Sequence, residues 1–168
     1  LGITHIDTAE TYANGHAETL IGEAISQTDR DKLFITTKVA KYHLKADDVK
    51  TALSDSLKRL NTNYVDLYLI HAPNDTVPLK ETIATMDDLV DQGLIKNIGV
   101  SNFKPHRLEQ AQKLARHQIV TNQVYYNLVI REPENSGLLT YCQTHDVLLT
   151  AYRPIEQGNL AHNNYQIL

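Results

Sequence analysis

Four proton-bearing side chains stand at or just beyond the ends of short apolar runs: Asp7, Tyr12, Lys38 and His71. Lys38 closes the run Leu33–Phe34–Ile35–Thr36–Thr37, and a lysine in a mostly apolar strand mouth must find an anion or lose its proton. Asp7, on the preceding strand, is the natural partner. Tyr12 follows five residues after Asp7, on a loop leading into a helix. An ammonium ion beside a phenol stabilises the phenolate, so the phenol becomes a usable general acid near neutral pH. His71, after Leu67–Tyr68–Leu69–Ile70, can hydrogen-bond the same acceptor and orient it. The set would donate a proton to a carbonyl oxygen. Plainer readings stand beside this one: Asp7 as a cap, Lys38 as a rim charge, Tyr12 and His71 as members of a chain with nine tyrosines and eight histidines. A different chemistry, a Schiff base on Lys38 as in barrel aldolases, is weakened by the Tyr12 partner.

Positioning these groups requires a regular frame. Six stretches rich in Ile, Val, Leu, Thr and Tyr read as strands: around Thr4–Thr8, Leu33–Val39, Tyr64–His71, Ile95–Ser101, Val120–Tyr125 and Val147–Tyr152. Most are apolar on both faces, as in a buried parallel sheet. Helical periodicity fills the gaps, with apolar stripes at Ala17, Leu20, Ile21, Ala24 and Ile25, then Val49, Leu53, Leu57 and Leu60, then Leu79, Ile83, Met86 and Val90, then Leu108, Ala111 and Leu114. A last helix is expected from about Pro133 to His145, carrying Leu138, Leu139 and Cys142. Pro78, Pro105 and Pro133 suit a first helical turn, and Gly93 suits a helix end. The pattern is an uninterrupted β-α repeat without internal sequence repeats or a linker, read as one domain over residues 1–168.

Nearly every strand ends in a polar side chain that a buried strand does not need: Asp7, Lys38, His71, Ser101 with Asn102, Gln123 and Tyr152. In a parallel α/β protein these carboxyl ends share one side of the sheet, where ligands bind. An open doubly wound sheet meets its ligand mainly through the two or three strands at its switch point, so six converging ends favour a barrel. No G-x-G-x-x-G or G-x-x-x-x-G-K-[ST] occurs, and Gly15, Gly22, Gly93 and Gly99 are isolated.

Composition narrows the partners. With 16 Lys+Arg against 20 Asp+Glu, a net charge of −4 and no basic run, the electrostatic footprint of a nucleic-acid binder is missing. One cysteine excludes an intramolecular disulfide framework and a cysteine-based zinc site, and fits a reducing cytoplasm. Cys142 itself, at helical spacing from Leu138 and Leu139, reads as core. His5, His16, His43, His106, His117, His145 and His162 have no partner at metal-ligand spacing, so no metal site is expected. With no apolar run near ~18 residues and no signal-peptide pattern, a soluble, cytoplasmic protein without membrane partners is expected.

The chain resembles the aldo-keto reductases, in particular members like the 2,5-diketogluconate reductases. The match rests on Ile6–Asp7–Thr8–Ala9 with Tyr12, Phe34–Ile35–Thr36–Thr37–Lys38, Val65–Asp66–Leu67–Tyr68–Leu69–Ile70–His71, Gly99–Val100–Ser101–Asn102–Phe103, Thr121–Asn122–Gln123–Val124 and Ala151–Tyr152–Arg153–Pro154. The resemblance implies a (β/α)8 TIM barrel that reduces aldehydes and ketones with a nicotinamide cofactor, usually NADPH, with NADH left open. By that resemblance Tyr12 is the general acid, Asp7 and Lys38 tune it, and His71 orients the carbonyl. Ser101, Asn102 and Gln123 would hold the nicotinamide carboxamide, and Tyr152 would stack on its ring. Two positions depart from the pattern. Ala72–Pro73 follows His71 where many relatives carry a Trp, which implies a wider pocket, and Arg153 stands where Ser is common, to reach a pyrophosphate or to lie at a solvated rim. An eight-fold barrel usually takes ~250 residues, so the 168 residues match about six of eight strands, the second to the seventh. From this follow the expectations of self-association through exposed strand edges and of weak NADPH affinity, the segment that grips the 2′-phosphate in relatives being outside the match. A catalytically impaired fragment, or a cofactor-binding or regulatory barrel of the same family, is the remaining alternative.

Overall fold

A computed structural model describes residues 2–161; His162 lies outside them. Six strands, β1 (His5–Asp7), β2 (Phe34–Val39), β3 (Val65–Ile70), β4 (Ile95–Ser101), β5 (Ile119–Tyr125) and β6 (Leu148–Tyr152), fall where the apolar runs place them. They form one sheet in the order β1-β2-β3-β4-β5-β6, every neighbour parallel. Crossovers between parallel strands are right-handed almost without exception. Sequential order without a reversal therefore puts every crossover helix on one face and leaves no switch point.

The sheet curls away from its helices. Laid flat, β1 and β5 would be separated by four strand spacings, roughly 19 Å. Instead the Gln123 amide on β5 donates to Asp7 Oδ2 on β1 at 2.6 Å. The six strands are thus the wall of an incomplete (β/α)8 barrel, with the β1 and β6 outer edges unpaired among the described residues. Side chains alternate across this wall. Asp7, Thr36 and Leu67 share one level of the ladder, as do Lys38 and Leu69, and face the inside of the curl. Ile35, Val39, Tyr68 and Ile70 face outward into the core, against Leu53 and Leu60.

The main helices are α1 (His16–Ile25), α2 (Ala46–Leu60), α3 (Leu79–Asp91) and α4 (Pro105–Leu114), followed by α5 (Glu132–Asn135) and α6 (Leu138–Thr144). Pro105 opens α4, whereas Pro78 is the N-cap residue just before α3. The single helix expected over Pro133–His145 is in fact two. Gly137 adopts φ +78, a left-handed turn that an L-side chain rarely accepts, and separates α5 from α6. The buried face of α1 also differs from the expected stripe. Glu18 and Gly22 are the buried residues, Ile21 and Ile25 pack partly against the core, and Leu20 is exposed. A Cβ on Gly22 would lie 2.4 Å from the Arg59 carbonyl oxygen, so α1 is held against the end of α2 at main-chain distance. No described helix is long and apolar enough to cross a membrane.

Candidate active site

Lys38 is the centre of the site. Its side chain is only 1% exposed, and its ammonium has three acceptors: Asp7 Oδ1, the Thr8 carbonyl at 2.7 Å and the Tyr12 hydroxyl at 3.3 Å. An ammonium has three N–H bonds, so all are used. The same nitrogen lies 4.8 Å from the Tyr12 ring centroid. Asp7 spends one carboxylate oxygen on Lys38 and the other on Gln123. Buried charge is tolerated here because it is paired and hydrogen-bonded on every side.

Tyr12 reaches this lysine from a short turn, Tyr12–Gly15, in which Ala13 and Asn14 have φ of +48 and +54. Non-glycine residues rarely hold that conformation unless the surroundings impose it. Glu18, fully buried in the first turn of α1, accepts from Thr37 Oγ1 on β2 at 2.5 Å and from Arg59 Nε on α2 at 2.7 Å. Thr37 is the residue next to Lys38. The carboxylate therefore ties the helix behind Tyr12 to the strand that carries its lysine.

His71 continues from β3. Its ring meets that of Tyr12 edge-on, with centroids 5.7 Å apart and planes at 81°. Half-burial pushes its pKa below the usual 6.5, and the Lys38 ammonium pushes the same way, while Asp7 and Glu10 oppose. The imidazole is thus neutral at neutral pH. Because the fold lowers this value, the group's contribution to stability is present above pH 6.5 and is lost as the pH falls through the lowered value. An NMR titration of His71 should accordingly give a midpoint below 6.5; one at or above it contradicts this environment.

The remaining strand ends join the same surface. Ser101 Oγ donates to the Gln123 carbonyl at 2.8 Å and accepts from Asn102 Nδ2 at 3.0 Å. Asn102 also donates to the His71 carbonyl at 3.2 Å, and its Oδ1 accepts from the Tyr152 hydroxyl at 3.0 Å. The Tyr152 ring stacks on Tyr125, 5.4 Å between centroids and 11° between planes. All eight residues singled out in the sequence, Asp7, Tyr12, Lys38, His71, Ser101, Asn102, Gln123 and Tyr152, therefore lie along one connected band at the carboxyl ends of the strands. Sequence reasoning missed Glu18, Glu10 and Thr11. Glu10 accepts from the Ala40 amide and from His43 Nδ1 at 3.1 Å, and Thr11 Oγ1 lies 3.4 Å from His71 Nδ1. The signal for Glu18 was a lone carboxylate inside an apolar helical stripe; adjacency to Tyr12 was the only signal for Thr11.

Other groups take plainer places. Arg153 is exposed, with its guanidinium 5.6 Å from the Tyr125 ring centroid. Cys142 is buried and its thiol is pushed up by that burial, as suits a core residue. Among the described residues no group of three or more His, Cys, Asp or Glu side chains could hold a metal ion.

A planar amide with an attached aromatic ring needs an acceptor, a donor and a flat face. Among the described residues Gln123 Oε1 accepts no hydrogen bond, the Asn102 amide donates to the His71 carbonyl and Ser101 Oγ in bonds that a ligand could take over, and Tyr152 offers the face. These residues fit a nicotinamide.

A parallel α/β barrel wall with a buried lysine, carboxylate and tyrosine at its carboxyl end defines a class of barrel enzymes, and comparison with known proteins names the family. Residues 1–168 match the model of the aldo/keto reductase family. The chain is 40% identical over 164 residues to the methylglyoxal reductase YeaE of Escherichia coli (strain K12), covering 97% of this chain and 57% of that protein. A thermostable aldo-keto reductase, Tm1743, crystallised with the inhibitor epalrestat, superposes with a TM-score of 0.91 at 52% identity, covering 92% of this chain and 57% of that one. An aldo/keto reductase from Klebsiella pneumoniae in complex with NADP and acetate gives a TM-score of 0.85 at 40% identity, covering 94% and 55%. The chain belongs to the aldo/keto reductase family, and it spans a little over half the length of these relatives.

Proposed function

We propose that the protein reduces aldehyde or ketone carbonyls to alcohols with NADPH as reductant, Tyr12 acting as the general acid. The observation that carries this reading is the buried Lys38 ammonium, anchored by Asp7 and the Thr8 carbonyl and 3.3 Å from the Tyr12 hydroxyl. As negative charge grows on the carbonyl oxygen, Tyr12 gives it a proton, and the phenolate left behind is stabilised by an ammonium already in place. His71 orients the same oxygen. Ser101, Asn102 and Gln123 would hold the carboxamide, and Tyr152 would support the ring, which fixes the face presented to the substrate. When bound, the nicotinamide supplies the hydride that the carbonyl carbon receives.

The co-crystallised NADP of the Klebsiella pneumoniae relative and the methylglyoxal reductase name of the Escherichia coli relative support a nicotinamide reductant and a small carbonyl substrate. A Schiff base on Lys38 is disfavoured because all three N–H bonds are engaged and the nitrogen faces a carboxylate. Ala72–Pro73 puts no large aromatic directly after His71, which favours tolerance for bulkier carbonyls. A reducing, cytoplasmic location suits the single buried cysteine, and residues 1–168 are read as one partial barrel domain.

NADPH consumption with a nitrobenzaldehyde, set beside a fluorescence titration of NADPH alone, tests the reading. Carbonyl-dependent consumption is the expected result; binding without consumption would favour a cofactor-binding barrel. The unpaired edges of β1 and β6 support self-association when the 168-residue chain is produced alone. Sedimentation should then show species larger than a monomer, and a monomer with a cooperative unfolding transition would contradict it.

A further inference from the structure

Beside Tyr12, Thr11 makes an unusual choice of partner. It is the residue that caps the Tyr12–Gly15 turn, yet its hydroxyl makes no cap bond. That hydroxyl lies instead 3.4 Å from Nδ1 of His71, its one side-chain hydrogen bond among the described residues. On the other side of the ring, Nε2 has no protein hydrogen bond among the described residues. We infer that the Thr11 hydroxyl selects the tautomer of His71, donating to Nδ1 and so placing the ring's single proton on Nε2, where it can hydrogen-bond a substrate oxygen. Thr11 is in this sense a positioning residue. The inference rests on the carbonyl-reductase reading above and deepens it.

A neutral imidazole has one donor and one acceptor nitrogen, and a hydrogen bond at one nitrogen sets the role of the other. His71 is neutral in this setting, being half-buried and faced by Lys38, with Asp7 and Glu10 as the nearby acids. With the proton on Nδ1, the Thr11 hydroxyl would have to turn and accept from it, and the Nε2 lone pair would face the substrate oxygen and repel it. With the proton on Nε2, both groups are satisfied and a donor meets the developing oxyanion. Tyr12 and Thr11 are consecutive, so one turn carries both the group that gives the proton and the group that readies its neighbour.

Thr11→Val keeps the shape and removes the hydroxyl; Thr11→Ser keeps the hydroxyl. Two-bond nitrogen–proton NMR of the His71 ring in the whole chain reads the tautomer directly. The wild type and Thr11→Ser should show a protonated Nε2 and a bare Nδ1, and Thr11→Val a mixture of both forms. With a nitrobenzaldehyde as substrate, Thr11→Val should lower kcat by about tenfold, the worth of roughly one hydrogen bond, with NADPH affinity unchanged and activity restored in Thr11→Ser. A proton on Nδ1 in the wild type, or an unchanged tautomer in Thr11→Val, would overturn the inference. Should the wild type reduce no carbonyl, the functional reading fails, while the ring spectrum still decides the tautomer.

Discussion

Tyr12→Phe is expected to lower carbonyl reduction by about a thousandfold, within the range that a positioned general acid contributes, while NADPH affinity stays within about twofold. The separation follows from what the substitution leaves in place. The phenylalanine ring keeps the edge-on contact with His71 and the position 4.8 Å from the Lys38 ammonium. Lys38 keeps Asp7 and the Thr8 carbonyl, so no buried charge is left without a partner. The cofactor-facing groups on β4, β5 and β6 do not touch the hydroxyl. Replacing Lys38 or Asp7 would be less informative, because each removal strands a charge in the strand mouth and disturbs the fold together with the chemistry. Steady-state rates with a nitrobenzaldehyde, set against a fluorescence titration of NADPH, measure the two effects independently.

Gly22→Ala should have the largest effect on stability, a loss of about 3 kcal/mol, at the upper end of what overpacking usually costs. Helix propensity alone would predict a gain of about 1 kcal/mol for the same change, so the sign of the result is decisive. The new methyl carbon would stand 2.4 Å from the Arg59 carbonyl oxygen and 2.9 Å from the Leu60 carbonyl carbon. Both are main chain and cannot rotate away. Moving α2 aside would also shift Arg59 from Glu18, the carboxylate that ties α1 to Thr37, so activity should fall with stability. Urea denaturation gives the change in midpoint, and Glu23→Ala on the exposed side of α1 should leave it nearly unmoved. A Gly22→Ala protein as stable as the wild type would mean that the two helices can separate at no cost.

The strands and the seven strand-end residues were legible in the sequence for one reason. A buried parallel strand is a short apolar run, and a polar residue at its end has no structural use there. Lys38 after Phe34–Ile35–Thr36–Thr37 and Gln123 after Thr121–Asn122 announce themselves in this way. Features that depend on how the wall closes did not. The contact of Gln123 with Asp7 joins residues 116 positions apart and arises only because the sheet curls. The burial of Glu18 required knowing that α1 meets both β2 and α2, which rotated the buried face to Glu18 and Gly22 with Ile21 and Ile25 beside them and left Leu20 exposed. The break at Gly137 was hidden by Leu138, Leu139 and Cys142, whose spacing suits one helix or the second of two. Thr11 carried no signal beyond its place next to Tyr12, since its meaning lies in a histidine 60 positions away.

The central claim is that Tyr12, tuned by Lys38 and Asp7, delivers the proton in a reduction whose hydrogen at carbon comes from the nicotinamide. Its most direct measurement follows the label from NADPH deuterated at the transferring position into the alcohol formed from a nitrobenzaldehyde. The expected product of the wild type carries one deuterium on the carbinol carbon, and Tyr12→Phe, binding NADPH equally well, yields almost none. Labelled alcohol formed at the wild-type rate by Tyr12→Phe, or no labelled alcohol from a wild type that binds NADPH, would contradict the account.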